Sequence, residues 1–395
     1  MNYGIVAEFN PFHNGHKHIV DFLKNNGENT VAAVMSESFV QRGECACIAP
    51  DARVRMALQG GVDLVLSLPV PYATASAERF AEGGVGVLGA LGCIDALGFG
   101  SESGDIETLM KCAEAITSEE FSPLLENRLS QGLSYPTARQ KALRDMYGDG
   151  FADALSSPND ILGIEYIKAI RKFDFNILPV PVKRIGSAHD SKVVEGEICS
   201  ASAIRELIKT GVLYANFVPL SSGEIIENMI SSGKSPADFG RLETALLYKL
   251  RTMSVDDLKN IPDVSEGLEY RFVEAIRSSV SLNEVLEKVK TKRYTHSRLR
   301  RIVLCALLGI AKADAQATVP YIRVLGFNEK GAEVLNQAKK TATLPIVTKS
   351  SDFKRLDETA KRLFALECKA RDIFSLCLPV PDACGKEMTD KMIVI

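Results

Sequence analysis

The chain has 395 residues, of which 46% are hydrophobic and 25% charged, and its formal net charge is -3. That composition excludes a disordered, collagen-like or fibrous protein, and the length predicts two or three domains with a core large enough to need no disulfide staples. No run approaches the roughly 18 uninterrupted apolar residues of a membrane span, and Met1–Ala7 lacks the basic start and long apolar stretch of a secretion signal. Nine cysteines at irregular spacing contain no CxxC pair, so a structural zinc site is not expected. Most lie among apolar neighbours, which fits a reducing, cytoplasmic setting.

In chain order, Tyr3–Ala7 reads as a first strand and the segment from Gly15 to Asn25 as a helix. Thr30–Met35 is a second strand, Ala52–Gln59 helical, and Leu64–Leu68 a third strand ending at Pro69. Ala77–Leu91 is helical, Ala96–Phe99 a short strand, and Phe175–Pro179 a further one. This βαβα order predicts an α/β, Rossmann-like domain over residues 1–216, built on a mostly parallel sheet with helices on both faces. Ligands of such sheets bind beyond the carboxyl ends of the strands. From about residue 217 the pattern becomes mainly helical, over Ser235–Thr252, Glu266–Ser279, Ser281–Lys290 and Ser297–Leu308. A few strands return at Tyr321–Leu325, Leu344–Thr348 and Met392–Ile395. Residues 217–395 are therefore expected to form a mainly helical C-terminal region.

The richest segment is Glu8-Phe9-Asn10-Pro11-Phe12-His13-Asn14-Gly15-His16, between the first strand and the first helix. Three of the five histidines, His13, His16 and His18, fall within six residues. His13 and His16 stand one helical turn apart at a helix start. The free N–H groups and dipole there favour a phosphate, and Gly15 lets a ligand approach the backbone. Two imidazoles so placed can donate hydrogen bonds as charge develops in a transition state. A zinc pair would need a third ligand at metal-site spacing, which is missing. A purely structural histidine pair stays open.

His13-Asn14-Gly15-His16 matches the HxGH signature of the nucleotidyltransferase superfamily. Together with Val34-Met35-Ser36, Gln41-Arg42-Gly43-Glu44, Phe99-Gly100-Ser101-Glu102, Pro158-Asn159-Asp160-Ile161-Leu162, Glu165-Tyr166 and the basic run Lys290–Arg301, the chain resembles the tRNA(Met) cytidine acetate ligase family from Tyr3 to about Thr348. That resemblance implies an ATP-dependent carbon–nitrogen ligase. It would activate acetate as acetyl-adenylate and transfer the acetyl group to N4 of the wobble cytidine of elongator tRNA(Met), forming N4-acetylcytidine. It also implies that Ala7 through Val20, including Lys17, His18 and Ile19, wraps the ATP, that Gly100, Asn159 and Arg184 make further ATP contacts, and that His13 and His16 are catalytic. Arg184, in Val182-Lys183-Arg184-Ile185-Gly186, can fork onto phosphate oxygens or be a solvated surface cation.

Two features depart from the wider pattern. No KMSKS loop is present; Ile198–Arg205 stands in its place, where Ser200 or Ser202 caps a helix and either hydroxyl could hold a phosphate. Cys45 follows Gln41-Arg42-Gly43-Glu44 where the family leads one to expect proline, which predicts a less rigid loop. Arg42 is a candidate for a substrate phosphate, or for a loop ion pair with Glu44.

Lys288–Arg301 carries seven Lys/Arg and no acid inside a chain of net charge -3. Such a patch suits a phosphate backbone, and Tyr294 and His296 could stack on bases. Lys290, Lys292, Arg293, Arg298, Arg300 and Arg301 are therefore candidate tRNA contacts, with Ser297 a possible helix cap and a solvated helix face the plain alternative. The expected partners are ATP, acetate and elongator tRNA(Met). Mg2+ is possible as the neutraliser of the triphosphate. The rival readings are a small-molecule adenylyltransferase making a coenzyme or nucleotide precursor, a non-catalytic RNA-binding protein, and an enzyme with acetyl-CoA as donor.

Overall fold

The computed structural model describes residues 1–184, 199–265 and 267–395. Ile185, Gly186, Ile198 and Glu266, which belong to segments named above, lie outside these. Ten strands are present among the described residues: β1 Asn2–Ala7, β2 Thr30–Ser36, β3 Phe39–Val40, β4 Glu44–Cys45, β5 Leu64–Leu68, β6 Ala96–Ser101, β7 Leu178–Lys183, β8 Ile322–Phe327, β9 Ile346–Val347 and β10 Ile393–Val394. The main sheet runs β10-β8-β5-β2-β1-β6-β7, with β9 also paired to β8. The stretch from β5 to β7 is parallel throughout. The chain winds outward from β1 in both directions, so the strand order reverses beside β1, and a crevice opens at the carboxyl ends there.

Alternation sorts the strand residues between two cores. Val31, Ala33 and Met35 of β2 face one apolar cluster, with Phe12 just before the first helix and Val20 and Leu23 within it. Ala32 and Val34 face the other, with Phe80, Val85 and Leu88 of the helix Ala77–Ala90. Burial on both faces is why these strands read as near-continuous apolar runs. A third cluster is formed mainly by the helices of the C-terminal region, among them Leu246, Phe272, Ile302 and Phe374.

The C-terminal strands do not form a sheet of their own. β8 pairs antiparallel with β5, Leu64 opposite Phe327, and β10 pairs with β8. The strand expected at Phe175–Pro179 is displaced to Leu178–Lys183. Asp174 turns the chain at φ 54, and Phe175 packs against Gly89 instead of pairing. Pro179 and Pro181 are tolerated because β7 is an edge strand. Five helices, at Ile106–Thr117, Phe121–Ser130, Tyr135–Tyr147, Asp149–Ala154 and Pro158–Lys172, fill a stretch for which the apolar pattern predicted no element. The helix expected over Ser235–Thr252 is α-helical only from Glu243, after a single turn at Phe239–Leu242 started by the Asp238 carboxylate, which accepts from Gly240 N. No described helix is long and apolar enough to cross a membrane.

Candidate active site

The strap Glu8–Phe12 links β1 to the helix Asn14–Lys24 and is held from below by one side chain. Arg53, fully buried, donates to four backbone carbonyls: Glu8 O, Ser36 O at 2.9 Å, Glu37 O, and Ile48 O at 3.1 Å. Asn10 adds two ties, its side chain accepting from Cys47 N at 2.8 Å and its carbonyl from Arg205 Nη1 at 3.1 Å. Phe9, Phe12 and the His16 ring pack together at centroid distances of 5.1–5.6 Å. The strap is thus a fixed cradle, although it has no regular secondary structure.

His13 caps the helix. Its Nδ1 accepts from Gly15 N at 3.0 Å, while His16 Nδ1 accepts from the His13 N–H at 3.3 Å. This reciprocal pair is a capping box written in imidazoles. The rings stack with centroids 3.8 Å apart. An Nδ1 that accepts carries no proton, so each neutral ring must carry its proton on Nε2. Burial, then the charge on Arg184, depresses His16 to about 3. Burial first, then His16, Arg184 and Arg205, holds His13 well below the ordinary imidazole range. Both rings are therefore neutral Nε2–H donors at physiological pH.

A cavity of about 370 Å³ opens over this pair. Of the residues expected at an ATP site, Ala7, Glu8, Phe9, Asn10, His13, His16, Ile19, Gly100, Asn159 and Arg184 line it, and so do Ser200 and Ser202. Pro11, Phe12, Asn14, Gly15, Lys17, His18 and Val20 do not. Phe12 and Val20 are core residues, Asn14 reaches Asn216 O at 2.9 Å, and Lys17 pairs with Asp21 along the outer helix face. Gly100 leaves a space in which an added Cβ would sit 3.3 Å from Ile19 and 3.6 Å from the Arg184 stem. Asn159 is positioned by Glu102, which accepts from its Nδ2 at 2.6 Å and its N–H at 3.1 Å. Asp160 answers by accepting from Glu102 N and Ser103 N, both at 3.1 Å. These mutual bonds clasp the end of β6 to the start of the helix Pro158–Lys172.

Ser200 is the cap of the helix Ala201–Thr210, its Oγ accepting from Ala203 N at 3.2 Å. Ser202 Oγ accepts from Arg205 Nη2 at 3.1 Å. Arg205 is a wall residue that sequence reading missed. Its signal was its place one helical turn after Ser202, on the same face. Ala77 and Phe80 were also missed, and Leu162 and Tyr166, though within quoted segments, were given no role; the four line an apolar part of the cavity from two helices about 80 residues apart in sequence. Tyr166 is buried, which together with the nearby Glu8 charge keeps its phenol protonated.

The basic segment meets this cavity through the β3–β4 hairpin. Gln41, Arg42 and Glu44 of the hairpin line the cavity, and Glu44 pairs with Arg300. Gly43, at φ 75, lies against the helix His296–Leu308; a Cβ there would stand 2.6 Å from Arg301 N. Lys290, Lys292 and Arg293 are exposed. Four expectations need correction. Arg301 is buried, 8% exposed, and bonded to the Asp263 carboxylate at 3.0 Å; Arg298 is engaged by Asp263 O at 2.7 Å and Ser265 Oγ at 3.0 Å. Tyr294 is buried beneath the Arg298 guanidinium, 5.0 Å from its ring centroid, so it packs and does not present a stacking face. The helix cap is Thr295, accepting from Arg298 N, and not Ser297. The run's apolar positions dock it into the helical core, and that burial takes part of its charge with it.

Comparison with known proteins agrees with this geometry. The family model for HIGH nucleotidyl transferases matches residues 1–389. The tRNA(Met) cytidine acetate ligase of Acetivibrio thermocellus is 38% identical over 99% of both chains, and that of Caldanaerobacter subterraneus is 41% identical over 94% of both. The crystal structure of Thermotoga maritima TmcAL in its apo form superposes with a TM-score of 0.95 at 36% identity, covering 100% of this chain and 99% of that one. The same Thermotoga protein bound with alpha-thio ATP gives 0.93 at 35% identity and the same coverage. Fold, strap and whole-length similarity together show that this chain belongs to the tRNA(Met) cytidine acetate ligase family of HIGH nucleotidyl transferases.

Proposed function

We infer that the protein is an ATP-dependent ligase that activates acetate as acetyl-adenylate and transfers the acetyl group to N4 of the wobble cytidine of elongator tRNA(Met). The observation that carries this is the pair of neutral, Nε2-protonated imidazoles at a helix start, facing a cavity that also holds Arg184 and Arg205. ATP would lie along the Ala7–Val20 strap, with Gly100 and Asn159 beside it and Ser200 and Ser202 toward its phosphates. An acetate oxygen attacks the α-phosphorus and pyrophosphate leaves. His13 and His16 donate hydrogen bonds to the oxygens that gain charge, and the two guanidiniums offset the rest. Because the imidazoles are neutral, they stabilise developing charge more than the ground-state triphosphate, which favours kcat. A Mg2+ ion would enter as the ATP chelate, its ligands being phosphate oxygens.

Residues 1–216 would serve as the ATP-binding unit and residues 217–395 as the tRNA-binding region, with Lys290, Lys292 and Arg293 the contacts to the tRNA backbone. An anticodon-loop base is single-stranded and can be turned outward into the cavity past the hairpin. The cytoplasm, where tRNA and ATP reside, fits a chain whose cysteines are free and mostly buried. The test is ATP–pyrophosphate exchange with and without acetate, alongside His16→Ala. Acetate-dependent exchange that falls 10²–10³-fold in the variant, the usual cost of one such donor, supports the reading. Exchange that ignores acetate and responds to another phosphate substrate would replace it with a small-molecule adenylyltransferase.

A further inference from the structure

The second half-reaction poses a chemical problem. The exocyclic amine of cytosine shares its lone pair with the ring, so it is a weak nucleophile. As its nitrogen bonds to the acetyl carbon, one N–H proton must leave. A group in the cavity that can accept that proton would lower the barrier.

The cavity offers few. Among the described residues, its titratable side chains other than arginine are His13, His16, Tyr166, Glu8 and Glu44. The two imidazoles have spent their Nδ1 lone pairs on backbone N–H groups and present only Nε2–H. Tyr166 is a protonated phenol in an apolar wall. Glu44 is committed to Arg300. Glu8 alone is an acceptor with no cationic side-chain partner among the described residues. One carboxylate oxygen accepts from Gln41 N at 2.9 Å, which fixes the group and leaves the second oxygen available. Its backbone is clamped by Arg53, so the carboxylate is held as rigidly as the strap. Gln41 Nε2 in turn donates to Ala75 O at 3.2 Å, which ties the residue holding Glu8 to the segment before the helix Ala77–Ala90, and the Glu8 charge acts on Tyr166 of the apolar wall.

We propose that Glu8 is the proton acceptor of acetyl transfer, a role that rests on the ligase reading above. In that step the cytidine nitrogen attacks the carbonyl carbon of acetyl-adenylate. The C–N bond forms, the bond from that carbon to the phosphate oxygen breaks, AMP departs with the electron pair, and the amine proton passes to the Glu8 carboxylate and then to solvent. No oxidant or further reactant is needed. The adenylation step does not use this acceptor, because acetate already carries its own nucleophilic charge.

The test separates the two steps. Glu8→Gln and Glu8→Asp are compared with the parent in acetate-dependent ATP–pyrophosphate exchange, and in single-turnover transfer from synthetic acetyl-adenylate to elongator tRNA(Met). Glu8→Gln should lose at least 100-fold in transfer, the lower range of general-base effects, and at least tenfold more in transfer than in exchange, where its place in the ATP strap also costs activity. Glu8→Asp, which retains a carboxylate, should recover part of the transfer. Equal losses in both steps would overturn the proposal and make Glu8 a nucleotide-positioning residue. Undiminished transfer would also overturn it, leaving the departing phosphate as the acceptor. A parent protein with no acetate-dependent exchange would instead defeat the ligase reading, so the two failures are distinguishable.

Discussion

Arg53→Met is the substitution that should best reveal how the strap is held. The methionine fills much of the volume of the arginine stem but leaves Glu8 O, Ser36 O, Glu37 O and Ile48 O without their shared donor. Burial lowers this guanidinium only to about 10, so the parent loses a charged donor at neutral pH. An orphaned buried carbonyl costs about 1–3 kcal/mol. Removing a buried charge recovers part of that loss through its desolvation. Taking the low end for all four carbonyls gives a destabilisation of about 4 kcal/mol, against a total that is typically 5–15 kcal/mol. Thermal unfolding and denaturant titration measure it, and isothermal titration with a non-hydrolysable ATP analogue reads the strap directly. ATP affinity should fall along with stability, because the cradle loses its anchor. A variant that is destabilised by less than about 1 kcal/mol, or that binds ATP as before, would refute the reasoning.

Two further outcomes follow from the charges. His13 and His16 have folded-state values depressed below the unfolded imidazole value near 6.5, so below that pH the unfolded chain binds protons that the folded chain refuses. Their contribution is fully present above about 6.5 and is lost as pH falls toward about 3; the melting temperature of His13→Asn/His16→Asn should therefore decline less steeply between pH 7 and 5 than that of the parent, and identical slopes would contradict the assignment. Replacing Lys290, Lys292 and Arg293 together with alanine should weaken tRNA binding and reduce the slope of log K against log salt by roughly two, at about 0.7 per phosphate contact; an unchanged salt slope in a filter-binding series would remove these residues from the interface.

The sequence made some of this legible for physical reasons. The HxGH strap is contiguous, so one local window holds the helix start, the imidazole pair and the glycine. The strands β1, β2, β5 and β6 are buried on both faces and stand out as apolar runs. Phe80 reaches the cavity only through tertiary packing, and nothing local announces it; Tyr166 and Arg205 stand in segments that the sequence singles out, but only the fold turns them to the cavity. The basic run was misread in part because a charge count does not say which side chains the helix buries. Arg301 and Tyr294 sit on the docked face, and Asp263, whose carboxylate bonds Arg301, is remote in sequence. Arg53 was invisible for the same reason: its four acceptors are backbone groups of the strap, of the end of β2 with the residue after it, and of the segment before the helix Pro50–Gln59.

The antiparallel pairing of β5 with β8 has a consequence for biosynthesis. Leu64 meets Phe327, so the partner of β5 leaves the ribosome only after more than 250 further residues have been made. At ordinary elongation rates that is a delay of roughly 10–50 s. During that interval a nearly completed parallel sheet presents the bare hydrogen-bonding edge of LVLSL, an uncharged apolar strand of the kind that recruits strands from other chains. The nascent protein is thus most exposed to intermolecular pairing just when its nucleotide-binding strap has formed. Occupancy by ATP at that stage would favour the native sheet by mass action, so yield on refolding or cell-free synthesis should rise with nucleotide concentration.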